Sequence, residues 1–186
     1  VVHGVNLTDN EVKLMADAGS PLVHCPSSNL KLGSGVAPIE KYLRNGLTVS
    51  LGADGAPCNN SMDAFIEMRL AALIQKPIFG PEALSAEKAF EMATLMGART
   101  LGAEHMLGSL EHGKQADIAV VRRDHPSVAT VHNPYSALVY SCLGRDVRHV
   151  WVAGKQVIKN GRHFRWDENE VLATANAEHK KLAKRL

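Results

Sequence analysis

The chain of 186 residues is poor in cysteine, balanced in charge and free of long apolar runs. Its three cysteines, Cys25, Cys58 and Cys142, lie far apart and form neither a disulfide framework nor a CxxC metal site. Sparse thiols of this kind fit a reducing, cytoplasmic setting. The formal net charge of +2 is too small to argue for nucleic acid, and the basic residues are scattered except for Lys180, Lys181, Lys184 and Arg185, which read as the solvated face of a terminal helix. No apolar run approaches the roughly 20 residues that cross a bilayer, and no signal-peptide pattern opens the chain, so no membrane partner is expected. Fixed-period repeats and low-complexity tracts are also missing. An initiating Met is absent, and the first residues, Val1-Val2-His3, already lie in a strand pattern. That start predicts the C-terminal part of a longer polypeptide. What is present, 45% hydrophobic and 22% charged residues, is the composition of a globular protein with ample material for a core.

The most informative stretch is Leu51-Gly52-Ala53-Asp54-Gly55, where a run containing Thr48 and Val49 ends in a carboxylate between glycines. Val1-Val2-His3 and Pro21-Leu22-Val23-His24 repeat the arrangement with an imidazole at the end. Each is followed by a helix-like segment. In parallel β/α folds such strand ends share the face on which active sites lie. Thr8 or Asp9 is expected to cap a helix through Ala18, and Pro38 to open one that carries Ile39, Tyr42 and Leu43. Pro26 to Asn29 and Gly55 to Asn60 read as loops. Ser61 is expected to cap a long helix with a stripe of Phe65, Met68, Leu70, Ala72 and Leu73 that Lys76-Pro77 ends. Ser85 opens another running toward Leu95, continued by residues 97–102. The alternation implies parallel pairing with crossover helices.

From about Gly108 the pattern changes. Ala116 to Val121, Ala137 to Tyr140, Val147 to Val152 and Gln156 to Lys159, with a turn at Ala153-Gly154, predict an antiparallel layer, and a polar helix from about Glu168 closes the chain.

The string His24-Cys25-Pro26-Ser27-Ser28-Asn29-Leu30-Lys31-Leu32, then Gly35-Val36-Ala37-Pro38 and Leu51-Gly52-Ala53-Asp54-Gly55-Ala56, resembles the C-terminal half of the amidohydrolase superfamily. The resemblance extends to Glu67-Met68-Arg69, the G-x-L-x-x-G-x-x-A-D-I-x-V segment from Gly108 and Val150-Trp151-Val152-Ala153-Gly154-Lys155, and so spans nearly the whole chain. It is strongest toward the branch of cytosine/guanine deaminases, chlorohydrolases and S-adenosylhomocysteine/methylthioadenosine deaminases. It implies an α/β fold in which residues 1–107 supply strands six to eight of a metal-dependent hydrolase (β/α)8 TIM barrel, residues 108–165 part of a small β-sandwich and residues 166–186 a C-terminal helix. A complete barrel takes about 250 residues, so the chain alone is expected not to hold the metal properly.

The same resemblance implies one divalent metal ion, zinc or iron, with Asp54 as a ligand and proton acceptor and His3 as a catalytic group beside it. His24 is a candidate substrate-binding residue. The HxH pair, the strand-five His and the catalytic Glu of the family have no counterpart here and would come from a missing N-terminal portion. The expected activity is that of a hydrolase on non-peptide carbon–nitrogen bonds of the cyclic amidine type: a deaminase of a purine-like or other small heterocycle, S-adenosylhomocysteine or methylthioadenosine being favoured. Triazine or guanine-type hydrolysis or chlorohydrolysis is the alternative within the class, and an inactive fragment or assembly subunit the alternative outside it. A homo-oligomer is implied by the family. On local pattern alone, Asp54 also reads as a cap or turn residue and His3 or His24 as a core histidine. Asn29 and Asn59 are expected to hold their own turns, Glu67 and Arg69 to form a structural polar pair, and Cys58 to be a buried or half-buried thiol.

Overall fold

The computed structural model describes residues 1–185 and has a mixed α/β fold that divides into two compact units. The first comprises Val1–Lys114 and Arg123–Gly144, the second Gln115–Arg122 and the residues from Arg145 onward.

In the first unit, α1 (Asp9–Asp17) starts at a reciprocal cap in which the Thr8 hydroxyl accepts from the Glu11 N–H while the Glu11 carboxylate accepts from the Thr8 N–H. Strands β1 (Leu22–His24) and β2 (Val49–Leu51) pair in parallel, with Leu22 opposite Val49 and His24 opposite Leu51. Between them lie α2 (Pro26–Lys31) and α3 (Ile39–Arg44). After β2 come α4 (Ala56–Asn59), α5 (Ala64–Phe79), α6 (Ala86–Ala93) and α7 (Leu95–Thr100). Leu22, Val49, Ile39, Tyr42 and Met92 form one buried cluster; Met68, Ala72, Ala89 and Val139 form another. Burying side chains such as Ile39 contributes about 1.5–3 kcal/mol each. Gly52, just past β2, has no room for a side chain: a Cβ there would lie 2.7 Å from Val23 Cγ1.

Several local expectations give way to backbone geometry. Val1 to His3 is not a strand but a single parallel bridge from Val2 to Val23, because His3 (φ 70°) and Gly4 (φ 63°) turn the chain out of the extended region. Residues 26–29 are helical rather than a loop, since Pro26 presets the first helical φ and the Asn29 N–H reaches the Cys25 carbonyl at 3.0 Å. The loop after Asp54 likewise contains a helical turn, α4, with Pro57 in its first turn. Asp63, not Ser61, caps α5 by accepting from the Phe65 N–H at 2.9 Å, and the Ser61 hydroxyl instead donates to Asn59. Pro77 does not end α5 but sits in its last turn before Gly80 (φ 95°). Thr94 (φ −123°, ψ −92°) breaks α6 from α7. Ala137 to Tyr140 is helical rather than extended: Asn133 caps α8 (Pro134–Ser136), which runs into a wider π-type turn over Ala137–Ser141.

The second unit is a four-stranded antiparallel sheet in the order β3 (Ile118–Val121), β4 (Val147–Val152), β5 (Lys155–Lys159), β6 (Arg162–His163), followed by α9 (Glu168–Ala183). Ala153 (φ 48°) and Gly154 (φ 76°) make the tight β4–β5 turn, whose Ala153 N–H donates to the Asp117 carboxylate at 2.6 Å. Strand β6, two residues long, is too short to leave a periodicity. Among the described residues no helix is long and apolar enough to cross a membrane.

The buried Tyr42 hydroxyl donates to the Gly4 carbonyl at 2.8 Å and anchors the segment after His3. Tyr42→Phe leaves that carbonyl unpaired, so chemical denaturation should show a loss of about 1–3 kcal/mol; an unchanged stability would remove this bond from the account.

Candidate active site

Of the three residues that the strand-end pattern singles out, His3 and Asp54 come together. Asp54 Oδ2 and His3 Nε2 lie 3.9 Å apart, with side chains 30% and 42% exposed, on a cavity of about 290 Å³ whose wall also includes Ser28, Asn29, Val5 and Leu32. Both residues have left-handed backbones, φ 70° at His3 and φ 61° at Asp54. For an L-residue that conformation costs about 1–2 kcal/mol, so each is held there by its partners.

Those partners are clear. The Asp54 carboxylate accepts from the Ser28 hydroxyl through Oδ2 and from the Gly55 N–H through Oδ1 at 2.7 Å. The Ser28 bond first and the Gly55 bond second hold its carboxyl below the ordinary value, so the group is an anion at neutral pH. His3 Nδ1 meets Asn29 Oδ1 at 2.8 Å. In the neutral tautomer with Nδ1–H donating to that oxygen, the Nε2 lone pair faces Asp54. Two electron-pair donors thus face one space across 3.9 Å, a separation too long for a direct hydrogen bond between them. Such a pair suits a bound cation or a proton donor.

The first turn of α2 supplies this alignment. Ser28 and Asn29 are buried, at 1% and 2% exposure, and their side-chain oxygens are engaged, Ser28 Oγ with Asp54 and Asn29 Oδ1 with His3. Asn29 therefore reaches His3 rather than simply holding its own turn. Asn59 does hold its turn, accepting from Ser61 Oγ and the Met62 N–H at 3.0 Å each, and its amide also donates to the Ala53 carbonyl at 2.8 Å. Glu67 and Arg69 do not pair: two residues apart on a helix they point in different directions. The Glu67 carboxylate accepts from the Ser27 N–H (3.2 Å), the Ser27 hydroxyl and Asn59 Nδ2 (2.8 Å), whereas Arg69 donates to the Tyr140 carbonyl at 2.9 Å.

His24 is fully buried and does not line the cavity; among the described residues neither ring nitrogen has a hydrogen-bond partner. Burial, and then the charge of His3, push its pKa from 6.5 down to about 4. Cys25 is buried too, and burial followed by the charges of Asp54 and Glu67 pushes its thiol up to about 11, leaving an unreactive protonated sulfur. Cys58 is half-buried, as expected.

A model of the amidohydrolase family matches residues 1–157. The chain belongs to the amidohydrolase family. It is 42% identical over 182 residues, 97% of its length and 41% of the relative's, to a 5-methylthioadenosine/S-adenosylhomocysteine deaminase of Teredinibacter turnerae. It is 41% identical over 174 residues, 93% of its length and 40% of the relative's, to a 5'-deoxyadenosine deaminase of Methanosphaera stadtmanae. Among solved structures, an adenosine deaminase from Xanthomonas campestris with bound zinc superimposes with a TM-score of 0.96 at 36% identity, over 98% of this chain and 42% of that one. An atrazine chlorohydrolase from Arthrobacter aurescens complexed with zinc gives 0.87 at 34% identity, over 95% of this chain and 39% of that one. The amidohydrolase thus spans about two fifths of the length of the curated relatives it matches.

Because the folded-state pKa of His24 lies below its unfolded value, the unfolded chain takes up the proton first. Its contribution to stability is complete above pH 6.5 and lost as pH falls toward 4. Replacing it with a similarly sized apolar side chain, His24→Leu, should flatten stability against pH over that window in urea titrations and be neutral or stabilising at low pH. An equally steep acid loss in the variant would contradict the assignment.

Proposed function

We propose that this chain is the C-terminal portion of a metal-dependent aminohydrolase that deaminates a purine-like heterocycle, S-adenosylhomocysteine or methylthioadenosine being favoured. The observation that carries the reading is the convergence of the anionic Asp54 and His3 Nε2 on one cavity, in a chain of the amidohydrolase family. In this reading residues 1–107 contribute the sixth to eighth strands of a (β/α)8 barrel, residues 108–165 part of a β-sandwich and residues 166–186 a C-terminal helix. The N-terminal portion of the same polypeptide, in the cytoplasm, supplies the rest of the barrel and of the ligand set. The names of the deaminase relatives, each about two and a half times as long as the match, support the substrate class.

Asp54 is the residue of this chain that would hold the metal. The donor set fits: a carboxylate kept ionised by two hydrogen bonds, with oxygen lone pairs toward the cavity and an imidazole alongside, suits a borderline divalent cation such as zinc. The zinc in two structural relatives supports that choice. When bound, such an ion supplies a nucleophile stronger than water at neutral pH.

The chain's own residues then do three things. Asp54 would hold the ion and accept at a carboxylate oxygen the proton the nucleophile gives up on bonding to the ring carbon. That proton would pass to the amino group, which leaves as ammonia when its bond to the same carbon breaks. His3, kept in one tautomer by Asn29 Oδ1, offers Nε2 to the same region and steadies the developing charge. Val5 and Leu32 line the cavity with apolar surface against which a heterocycle can lie. For His24, the substrate-contact candidate of the sequence, the reading is that it shapes the site from within the core, since it is fully buried and off the cavity wall.

A second reading, a portion that becomes functional only on joining the rest of a barrel, is favoured by the short donor set of Asp54 and His3. Both readings predict that the isolated 186-residue chain holds no stoichiometric zinc. The full-length polypeptide should hold about one divalent ion per chain, and Asp54→Asn should remove it and lower kcat/KM for S-adenosylhomocysteine deamination by about a hundredfold or more. Retention of the ion by the Asn variant would refute the reading.

A further inference from the structure

Glu67, the acidic side chain of α5, is buried at 2% exposure, and among the described residues no Lys or Arg pairs with it. It is satisfied instead by three donors from two different segments. Oε2 accepts from the Ser27 N–H at 3.2 Å, while Oε1 accepts from the Ser27 hydroxyl and from Asn59 Nδ2 at 2.8 Å. A charged acceptor in such surroundings makes bonds stronger than neutral ones and is costly to leave unpaired.

The two arms that leave this carboxylate end at the same place. Through Ser27 it fixes the first turn of α2, whose next two residues carry the Ser28 bond to Asp54 Oδ2 and the Asn29 bond to His3 Nδ1. Through Asn59, whose amide also donates to the Ala53 carbonyl at 2.8 Å, it fixes the backbone immediately before Asp54. One arm holds the Asp54 side chain, the other its main chain. That double hold matters because Asp54 has φ 61°, a conformation the isolated residue would leave.

We propose that Glu67 is a positioning residue that sets the aim of Asp54 and, through Asn29, of His3. The inference rests on the reading of Asp54 and His3 as the metal-facing pair. Glu67 acts as an acceptor on both oxygens, so an amide of the same shape cannot replace it. In either orientation the amide NH2 of Glu67→Gln confronts an N–H donor, from Ser27 on one side or from Asn59 on the other. The conflict loosens α2 or the Ala53–Asp54 backbone without altering any group that touches the cavity.

The test compares Glu67→Gln, Asp54→Asn and Gln75→Met in the full-length polypeptide, reading zinc affinity by chelator competition, thermal stability, and kcat and KM separately. Gln75 is the matched control. It is fully buried on the same helix and bonds the Ala37 carbonyl and the Glu40 N–H, away from the cavity. Glu67→Gln should raise the zinc dissociation constant about 10- to 100-fold and lower kcat more than it changes KM. Gln75→Met should lower thermal stability while leaving zinc affinity as it was. If Glu67→Gln only lowers stability, with zinc affinity matching that of Gln75→Met, the positioning role is overturned while the reading of Asp54 stands. If Asp54→Asn leaves zinc affinity unchanged, the reading falls and the inference with it. Should Glu67→Gln fail to fold, Asn59→Ala severs one arm at a half-buried position and should weaken zinc binding in the same direction; unchanged binding there overturns the proposal.

Discussion

The site depends on one short helical turn. Successive residues of an α-helix point about 100° apart, so three in a row cannot serve the same neighbour. In the first turn of α2, Ser27 points to Glu67, Ser28 to Asp54 and Asn29 to His3. A single backbone element thereby ties a buried carboxylate, a cavity-facing carboxylate and an imidazole into one frame. Pro26 is what allows the turn to begin directly after Cys25, because its φ is already helical and its missing N–H needs no partner there. The hydrogen bonds of this turn offset the strain at His3 and Asp54, both of which lie in the left-handed region.

The frame is rigid at its base and open at its mouth. Ser28, Asn29 and Glu67 are buried, and Cys25 and His24 beneath them are buried and uncharged at neutral pH. His3 and Asp54 alone of the group keep substantial solvent contact. Chemistry in an amidohydrolase requires this division: groups that meet a ligand must be reachable, while those that orient them must not be free to move. Gly52 belongs to the same design, since only a residue without a Cβ lets the chain after β2 pass Val23 and Cys25.

The pairing of His3 with Asp54 was legible because both lie where an apolar run stops, and parallel strands collect such ends on one face. Helices with conventional signals were equally legible: Thr8 for α1, Ser85 for α6, and the polar stretch of α9. The supporting residues were not. Pro26-Ser27-Ser28-Asn29 has the composition of a loop, and only the backbone shows it to be a helical turn whose hydroxyls are directed inward. Glu67 reads from sequence as half of a polar pair with Arg69, since its actual partners are 40 and 8 residues away in sequence. Ala137 to Tyr140 has strand-like residues, yet the Asn133 cap and Pro134 commit it to a helix, an override of side-chain propensity by local capping.

Zinc-edge anomalous diffraction from crystals of the full-length polypeptide tests the central claim most directly. The account predicts a metal peak in the cavity beside His3, with an Asp54 carboxylate oxygen about 2.0–2.2 Å from it and Ser28 still bonded to that carboxylate. A peak elsewhere, or an Asp54 side chain turned away from the ion, would contradict it.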